Sequence, residues 1–182
     1  MKFNALPLKG AYTIDLDKSE DERGFFARYW CHEELDKMGL DETIVQINNS
    51  MSRERGTLRG LHFQRPPKAE TKIVRCICGS IWDVIVDLRE NSTTFGKCYG
   101  AELNNKNRTM MYVPKGFAHG FQTLVENVEL LYLHSEYYSQ ENEGGLLYND
   151  KDVNIEWPLP VSEISSKDQS HPTLIDLEPI KL

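Results

Sequence analysis

The sequence predicts an all-β protein, built as a double-sheet jelly roll with a few short helices. Five segments rich in β-branched and aromatic residues predict strands: TIVQINNSMS, TKIVRCICG, SIWDVIVDLR, RTMMYVP and NVELLYLHSEYY. Gly, Asn, Pro and Ser separate these segments at short intervals, which is typical of sandwiches and barrels. A jelly roll of this size can enclose a cleft in which side chains from several strands converge on a ligand.

The alternation of side-chain types and the positions of glycine and proline locate individual strands, helices and irregular segments. In IWDVIVDL, one face carries Trp82, Val84, Val86 and Leu88, and the opposite face carries Asp83, Ile85 and Asp87. CHEELDKMGL predicts a helix that Gly39 stops. EWPLPVSEISSKDQSHP predicts an irregular tail that packs over the body.

Length and composition limit the class of protein. The 182 residues, 40% hydrophobic and 27% charged, predict a single domain over residues 1–182. The net charge of -7 argues against nonspecific nucleic-acid binding, which needs a basic surface. The amino terminus does not resemble a signal peptide, and no apolar run approaches the roughly 20 residues of a membrane helix. We therefore expect a cytoplasmic protein without a membrane partner.

The segment GTLRGLHFQRPPKAETK holds the densest polar chemistry, with Arg59, His62, Gln64 and Lys72 near buried strand residues. A single histidine in an apolar strand is more often a core residue than a functional one. On a regular strand, His62 and Arg59 point to opposite faces. A bulge or turn at Gly60 would bring them together.

His119, in VPKGFAHGFQTL, is a second candidate for the cleft. Metal-binding barrels commonly use a His-x-His pair, but here the segment reads His-Phe-Gln, and Gln64 is a poor ligand. The four cysteines, Cys31, Cys76, Cys78 and Cys98, lack zinc spacing, so we expect buried reduced thiols. We predict no metal and a histidine that acts as a base.

A histidine base needs a carboxylate partner and an acid on the opposite face of the substrate. The carboxylate candidates are Asp83, Asp87 and Asp168, and the tyrosine candidates are Tyr132, Tyr137 and Tyr138. Lys72 is either a surface ion-pair residue or a fixed charge that stabilises an oxyanion. Arg23 and Arg59 are suited to a diphosphate, with Arg23 just before the aromatic pair of DERGFF.

The ordered motifs DERGFF, QINNSMS, GTLRGLHFQ, KIVRCICGSIWDVIVDLR, VPKGFAHGF, YLHSEYY, YNDKDVNIEWP and ISSKD closely resemble the dTDP-4-dehydrorhamnose 3,5-epimerase family. The resemblance runs from about residue 21 to 168. It implies a metal-free, cupin-like homodimer that needs no cofactor. It also implies epimerisation at carbons 3 and 5 of a nucleotide-linked 4-keto-6-deoxy sugar through an enolate.

The resemblance also implies roles for individual residues. His62 would be the base, Asp168 its partner, Tyr132 the acid and Lys72 the enolate-stabilising charge. The remaining residues would bind substrate: Arg23 and Phe26 across the dimer, and Gln46, Asn48, Arg59, His119, Tyr138 and Lys167 in the cleft.

Two positions depart from the common pattern of the family. Many members have glutamate at the position of Arg28 and an uncharged residue at the position of Glu70. These departures leave open an epimerase that acts on one carbon or on another nucleotide's sugar. Two readings of a different class are a non-catalytic sugar-nucleotide-binding cupin and a metal-dependent cupin.

Overall fold

A computed structural model describes residues 1–41 and 43–182. In chain order the elements are β1 (Lys2–Ala5), β2 (Tyr12–Asp15), β3 (Lys18–Asp21), β4 (Gly24–Ala27), α1 (His32–Lys37), β5 (Gln46–Ser52), β6 (Leu58–Gln64), β7 (Lys72–Cys78), β8 (Ser80–Asp87), β9 (Cys98–Asn104), β10 (Met110–Val113), β11 (Phe117–Thr123), β12 (Val128–His134), β13 (Glu143–Gly145) and α2 (Ser166–Gln169).

Two antiparallel sheets form the body of the protein. The larger has the order β1-β2-β10-β7-β12-β5 and the smaller the order β13-β6-β11-β8-β9, while β3 and β4 form a separate hairpin. All strand pairs within the two sheets are antiparallel. The predicted all-β, double-sheet, cupin-like class is confirmed.

Strand alternation divides the apolar side chains among three clusters. The cluster between the sheets includes Ile85 and Phe121. A second cluster covers the outer face of the smaller sheet, where Val84 and Val86 meet residues of the C-terminal region such as Ile180. The third lies on the outer face of the larger sheet, under α1. The two faces predicted for β8 are therefore confirmed.

The predicted helix is α1, and Gly39 follows it with a positive φ of 67° that favours glycine. The five predicted strands correspond to β5, β7, β8, β10 and β12. The last of them ends at His134, so residues 135–138 lie outside it. Cys76 is buried, Cys31 and Cys98 are half-buried, and Cys78 is exposed, so the expectation of buried thiols holds fully for Cys76 and is wrong for Cys78.

The C-terminal tail crosses the body as an irregular segment, as predicted, with α2 as a short helical turn. The buried amide of Gln122 donates to the carbonyl of Leu159 and accepts from its N–H, at 2.8 and 3.0 Å. Thr57 then pairs with Glu163 as a parallel bridge. These contacts fix the tail over the open end of the sandwich. Within the described part of the chain, no helix is long and apolar enough to cross a membrane.

Candidate active site

A cleft of about 1200 Å³ opens between the two sheets and is closed on one side by the tail. The larger sheet contributes residues of β5, β7 and β12, and the smaller sheet contributes residues of β6 and β11. Eight of the twelve residues predicted for the site line this cleft: Asn48, Arg59, His62, Lys72, His119, Tyr132, Lys167 and Asp168.

A bulge in β6 brings Arg59 and His62 to the same face. His62 lies opposite His119 and Arg59 lies opposite Phe121, so three steps along β6 match two along β11. Gly60, between them, has a φ of 109°, and a Cβ there would lie 2.7 Å from the Cα of Gly120. Glycine is therefore required at this position. The predicted irregularity at Gly60 is present.

The carboxylate of Asp168 holds His62 and the bulge together. Its Oδ1 lies 2.8 Å from His62 Nε2, and its Oδ2 accepts the backbone N–H of Gly60 at 3.0 Å. Burial acts to raise the pKa of Asp168, but the His62 and Gly60 hydrogen bonds outweigh it and lower this pKa to about 2. The ionised carboxylate accepts the Nε2–H of His62, which leaves the lone pair of the neutral ring on Nδ1.

Tyr132 faces the same cleft from the opposite sheet. Its hydroxyl lies 3.0 Å from Ser50 Oγ, and its ring stacks on His134 with centroids 6.1 Å apart. Burial raises the pKa of Tyr132 well above its ordinary value, against the lowering effect of the Ser50 hydrogen bond. The phenol therefore keeps its proton at neutral pH and can donate it.

Lys72 is not a surface ion-pair residue. Its ammonium lies 2.9 Å from Glu70, and the two side chains are only 12% and 8% exposed. The other oxygen of Glu70 lies 2.7 Å from His134 Nδ1. Burial acts to raise the pKa of Glu70, but His134 and Lys72 together lower it. Glu70 is therefore an anion that fixes the position of the lysine charge.

A second histidine–aspartate pair lies beside the first. His119 Nε2 is 2.7 Å from Asp83 Oδ1, and both residues are buried. Burial raises the pKa of Asp83, although His119 acts in the opposite direction. The third carboxylate candidate, Asp87, instead binds Arg89, Ser92 and Thr94. Of the three candidates, only Asp168 contacts His62.

Two further predicted residues, Gln46 and Tyr138, lie next to the cleft rather than in its lining. The backbone N–H of Tyr138 donates to Gln46, whose amide donates to Asn48 at 3.2 Å. The Tyr138 hydroxyl and the Lys167 ammonium both bind Glu143. These bonds connect both residues to the cleft wall.

The other two predicted residues are separated from the cleft within this chain. Arg23 forms an ion pair with Asp21 on the β3–β4 hairpin, and the Phe26 side chain on the same hairpin is 80% exposed. Neither is among the described residues that line the cleft. Their predicted role across a dimer stays a prediction.

Sequence reasoning assigned no role to His134, Glu70 or His171. The spacing of each from a predicted site residue could have indicated it. His134 follows Tyr132 by two residues on one strand face, and Glu70 precedes Lys72 by two. His171 follows Asp168 by three, one helical turn, and its Nε2 lies 3.6 Å from Asp168 Oδ1.

The arrangement suits proton transfer on two faces of one substrate. A histidine oriented by a carboxylate lies on β6, and a protonated tyrosine lies on β12 in the facing sheet. A buried lysine charge lies in the same cleft. By their chemistry, these groups could act as a base, an acid and an oxyanion-stabilising charge.

Comparison with known proteins places this geometry in context. Residues 5–176 match the family model described as dTDP-4-dehydrorhamnose 3,5-epimerase. The enzyme of that name from Salmonella typhimurium is 45% identical over 156 residues, 85% of each chain. The crystal structure of the one from Elizabethkingia anophelis is 45% identical over 97% of each chain, with a TM-score of 0.94.

Two solved structures carry ligands of the same chemical class. The Legionella pneumophila epimerase RmlC was solved in complex with dTDP-4-keto-L-rhamnose. It is 33% identical, with a TM-score of 0.90, over 97% of this chain and 94% of that one. ChmJ, a 3'-monoepimerase from Streptomyces bikiniensis, was solved with dTDP-quinovose. It is 30% identical, with a TM-score of 0.86, over 94% and 87% of the chains.

Proposed function

The chain belongs to the dTDP-4-dehydrorhamnose 3,5-epimerase family, and we propose that it converts dTDP-4-dehydro-6-deoxy-D-glucose to dTDP-4-dehydro-L-rhamnose. The observation that carries the proposal is the placement of the His62–Asp168 pair and Tyr132 on facing sheets of one cleft. An enzyme that inverts a carbon needs proton-transferring groups on both faces of that carbon, whereas a protein that only binds the substrate does not.

The substrate's ketone makes the protons on carbons 3 and 5 acidic. His62 Nδ1 takes one of them, and Asp168 stabilises the imidazolium that forms. The electron pair of the broken C–H bond moves onto the ketone oxygen, where the Lys72 ammonium stabilises the enolate. Tyr132 returns a proton to the opposite face. The ketone accepts the electrons itself, so this chemistry needs no redox cofactor.

The remaining cleft residues bind the substrate in this proposal. Arg59 is held by the Ser52 hydroxyl at 3.0 Å and is suited to the sugar or diphosphate, as is His119. Asn48 and Gln46 offer polar contacts to the substrate at the cleft wall, and Lys167 does so from the tail. Tyr138 packs on the base of the substrate's nucleotide.

We further propose that the functional unit is a homodimer in the cytoplasm, with Arg23 and Phe26 reaching the nucleotide of the partner's cleft. The exposure of Phe26 supports this, as does β5, an edge strand of the larger sheet on which Ile47 is 59% and Met51 45% exposed. Pairing of two such faces would cover this apolar surface.

The decisive experiment is incubation with dTDP-4-dehydro-6-deoxy-D-glucose in heavy water, followed by NMR. Deuterium at carbons 3 and 5 with inversion of both supports the proposal. Deuterium at carbon 3 alone would indicate a single-centre epimerase, the activity named for ChmJ. Binding without exchange would indicate a non-catalytic cupin. His62→Asn should abolish exchange at carbon 3 while the fold persists.

A shared site is tested by mixing variants. Arg23→Ala and His62→Asn homodimers should each have low activity. After the subunits exchange, a hybrid dimer holds one cleft with both native residues. We therefore expect activity to rise on mixing. Activity that stays at the average of the two variants would show that Arg23 serves the cleft of its own chain.

A further inference from the structure

His171 is a buried histidine to which the proposed mechanism gives no role. It follows α2, and its side chain is only 10% exposed. The ring packs on Gly145, where a Cβ would lie 2.3 Å from the ring atoms. Its edge meets the His62 ring, with centroids 5.6 Å apart at an interplanar angle of 84°. Packing therefore fixes the orientation of this ring.

The Nε2 atom of His171 has no hydrogen-bond partner among the described residues. The nearest carboxylate oxygen, Asp168 Oδ1, is 3.6 Å away, too far for a hydrogen bond. Buried polar atoms are rarely left unpaired, because the loss of hydration is not compensated. The atom therefore points to a ligand at this position.

Three potential metal ligands meet here. One ring nitrogen of His62, a carboxylate oxygen of Asp168 and one ring nitrogen of His171 all lie within 4.8 Å of one another. Asp168 Oδ1 is 2.8 Å from His62 Nε2 and 3.6 Å from His171 Nε2. Two nitrogens and one oxygen around tetrahedral zinc stand roughly 3.3 Å apart, since each bond is about 2.0 to 2.1 Å. The two separations from Asp168 Oδ1 bracket that value.

We propose that His62, Asp168 and His171 form an inhibitory site for a divalent transition metal, with Zn²⁺ as its best occupant. Two imidazoles and a carboxylate match the ligands of zinc sites that keep an open position. Imidazole nitrogen also selects Zn²⁺ over Mg²⁺ and Ca²⁺, which prefer oxygen. This site differs from that of a metal-dependent enzyme, because the metal would inhibit the proposed proton transfer rather than take part in it.

The inhibition follows from the tautomer of His62 and rests on the proposed function. In the metal-free protein, Nε2 carries the proton and Nδ1 the lone pair. A metal on Nε2 displaces that proton, and the neutral ring then carries its only proton on Nδ1. Nδ1 loses the lone pair with which it acts as a base. The metal lies on the Asp168 side of the ring, so Arg59 and Lys72 stay available to the substrate.

Binding is tested first, without reference to activity. Metal-free wild-type protein titrated with Zn²⁺ in a calorimeter should bind one ion per chain. His171→Gln, which keeps most of the side-chain volume above Gly145, should weaken binding by at least about tenfold. His32→Gln, at the start of α1 on the far side of the larger sheet, is the matched control and should bind as wild type does.

A measurement on the wild-type protein avoids any dependence on variant folding. In protein labelled with ¹⁵N-histidine, Zn²⁺ should shift the Nε2 resonances of two histidines and convert one of them from the Nε2–H to the Nδ1–H tautomer. Absence of one-to-one binding, equal affinity in His171→Gln and wild type, or Nε2 resonances that do not move would each overturn the site.

Activity provides the last test. Zn²⁺ should lower kcat for the epimerisation with little change in KM, a chelator should restore it, and His171→Gln should need at least about tenfold more Zn²⁺ for the same inhibition. A rise in KM at constant kcat would overturn the tautomer argument. If the protein lacks epimerase activity, the proposed function fails, while calorimetry and NMR still decide the metal site.

Discussion

Replacing Asp168 with asparagine changes one atom and forces a choice between two hydrogen bonds. In the native cleft, Oδ2 accepts the buried N–H of Gly60 and Oδ1 accepts Nε2–H of His62. An amide has one acceptor oxygen. If that oxygen stays on Gly60, the NH₂ group faces His62 and donates to Nε2, which moves the ring proton to Nδ1 and removes the base.

The geometry sets the size of the effect. The opposite amide orientation keeps the correct tautomer but leaves the Gly60 N–H facing an NH₂ group, at a cost of about 1–3 kcal/mol. The productive orientation is then populated in roughly one molecule in 5 to one in 150. The variant also loses the carboxylate that stabilises the imidazolium. Together we expect a loss of about 10²- to 10⁴-fold.

The assay is solvent deuterium exchange into carbons 3 and 5 at neutral pH, with ¹⁵N NMR to report the His62 tautomer. Ser165→Ala is the control, because it removes the acceptor of the Asp168 N–H at 3.0 Å but keeps the carboxylate. We expect it to retain most of the exchange rate. Exchange within about threefold of wild type in Asp168→Asn would refute the tautomer argument.

Three further results are expected. Tyr132→Phe removes the exchangeable proton but keeps the ring, so deuterium should enter the substrate through His62 without inversion at the carbon where Tyr132 acts. Normal inversion at both carbons would show that another group is the proton donor. The pKa of Asp168 falls from 3.8 to about 2 on folding. The carboxylate therefore contributes about 2 kcal/mol to the free energy of unfolding above pH 4, and this contribution is lost as the pH falls through 2. Urea unfolding should therefore show an acid-dependent loss of stability that is smaller in Asp168→Asn than in wild type by about this amount, because other carboxylates such as Glu70 still contribute to it. Ile47→Asp on the exposed β5 face should convert the proposed dimer to a monomer in light scattering; a dimer mass that the variant keeps would place the interface elsewhere.

Much of the fold was predictable because local chemistry sets it. Alternation assigned both faces of β8, since side chains on a strand point to opposite sides whatever the partner strand is. His62 and Tyr132 entered the candidate site through their motifs, and both line the cleft. The hairpin residues Arg23 and Phe26 lie away from it within one chain, and their predicted role depends on a second subunit.

The sequence by itself determined the class of fold, the segments that form the main strands and the set of chemical groups available to a site. Only the tertiary structure decided which of these groups meet. By residue type and spacing, Asp83, Asp87 and Asp168 were equivalent partners for His62; the family resemblance named Asp168, and the tertiary structure brings the two residues together across 106 positions. Their contact depends on the path of the tail, which the buried amide of Gln122 fixes. The alignment of Arg59 with His62 depends on a bulge that appears only when β6 pairs with β11. Such contacts follow from packing between distant parts of the chain, which residue spacing along the chain does not predict.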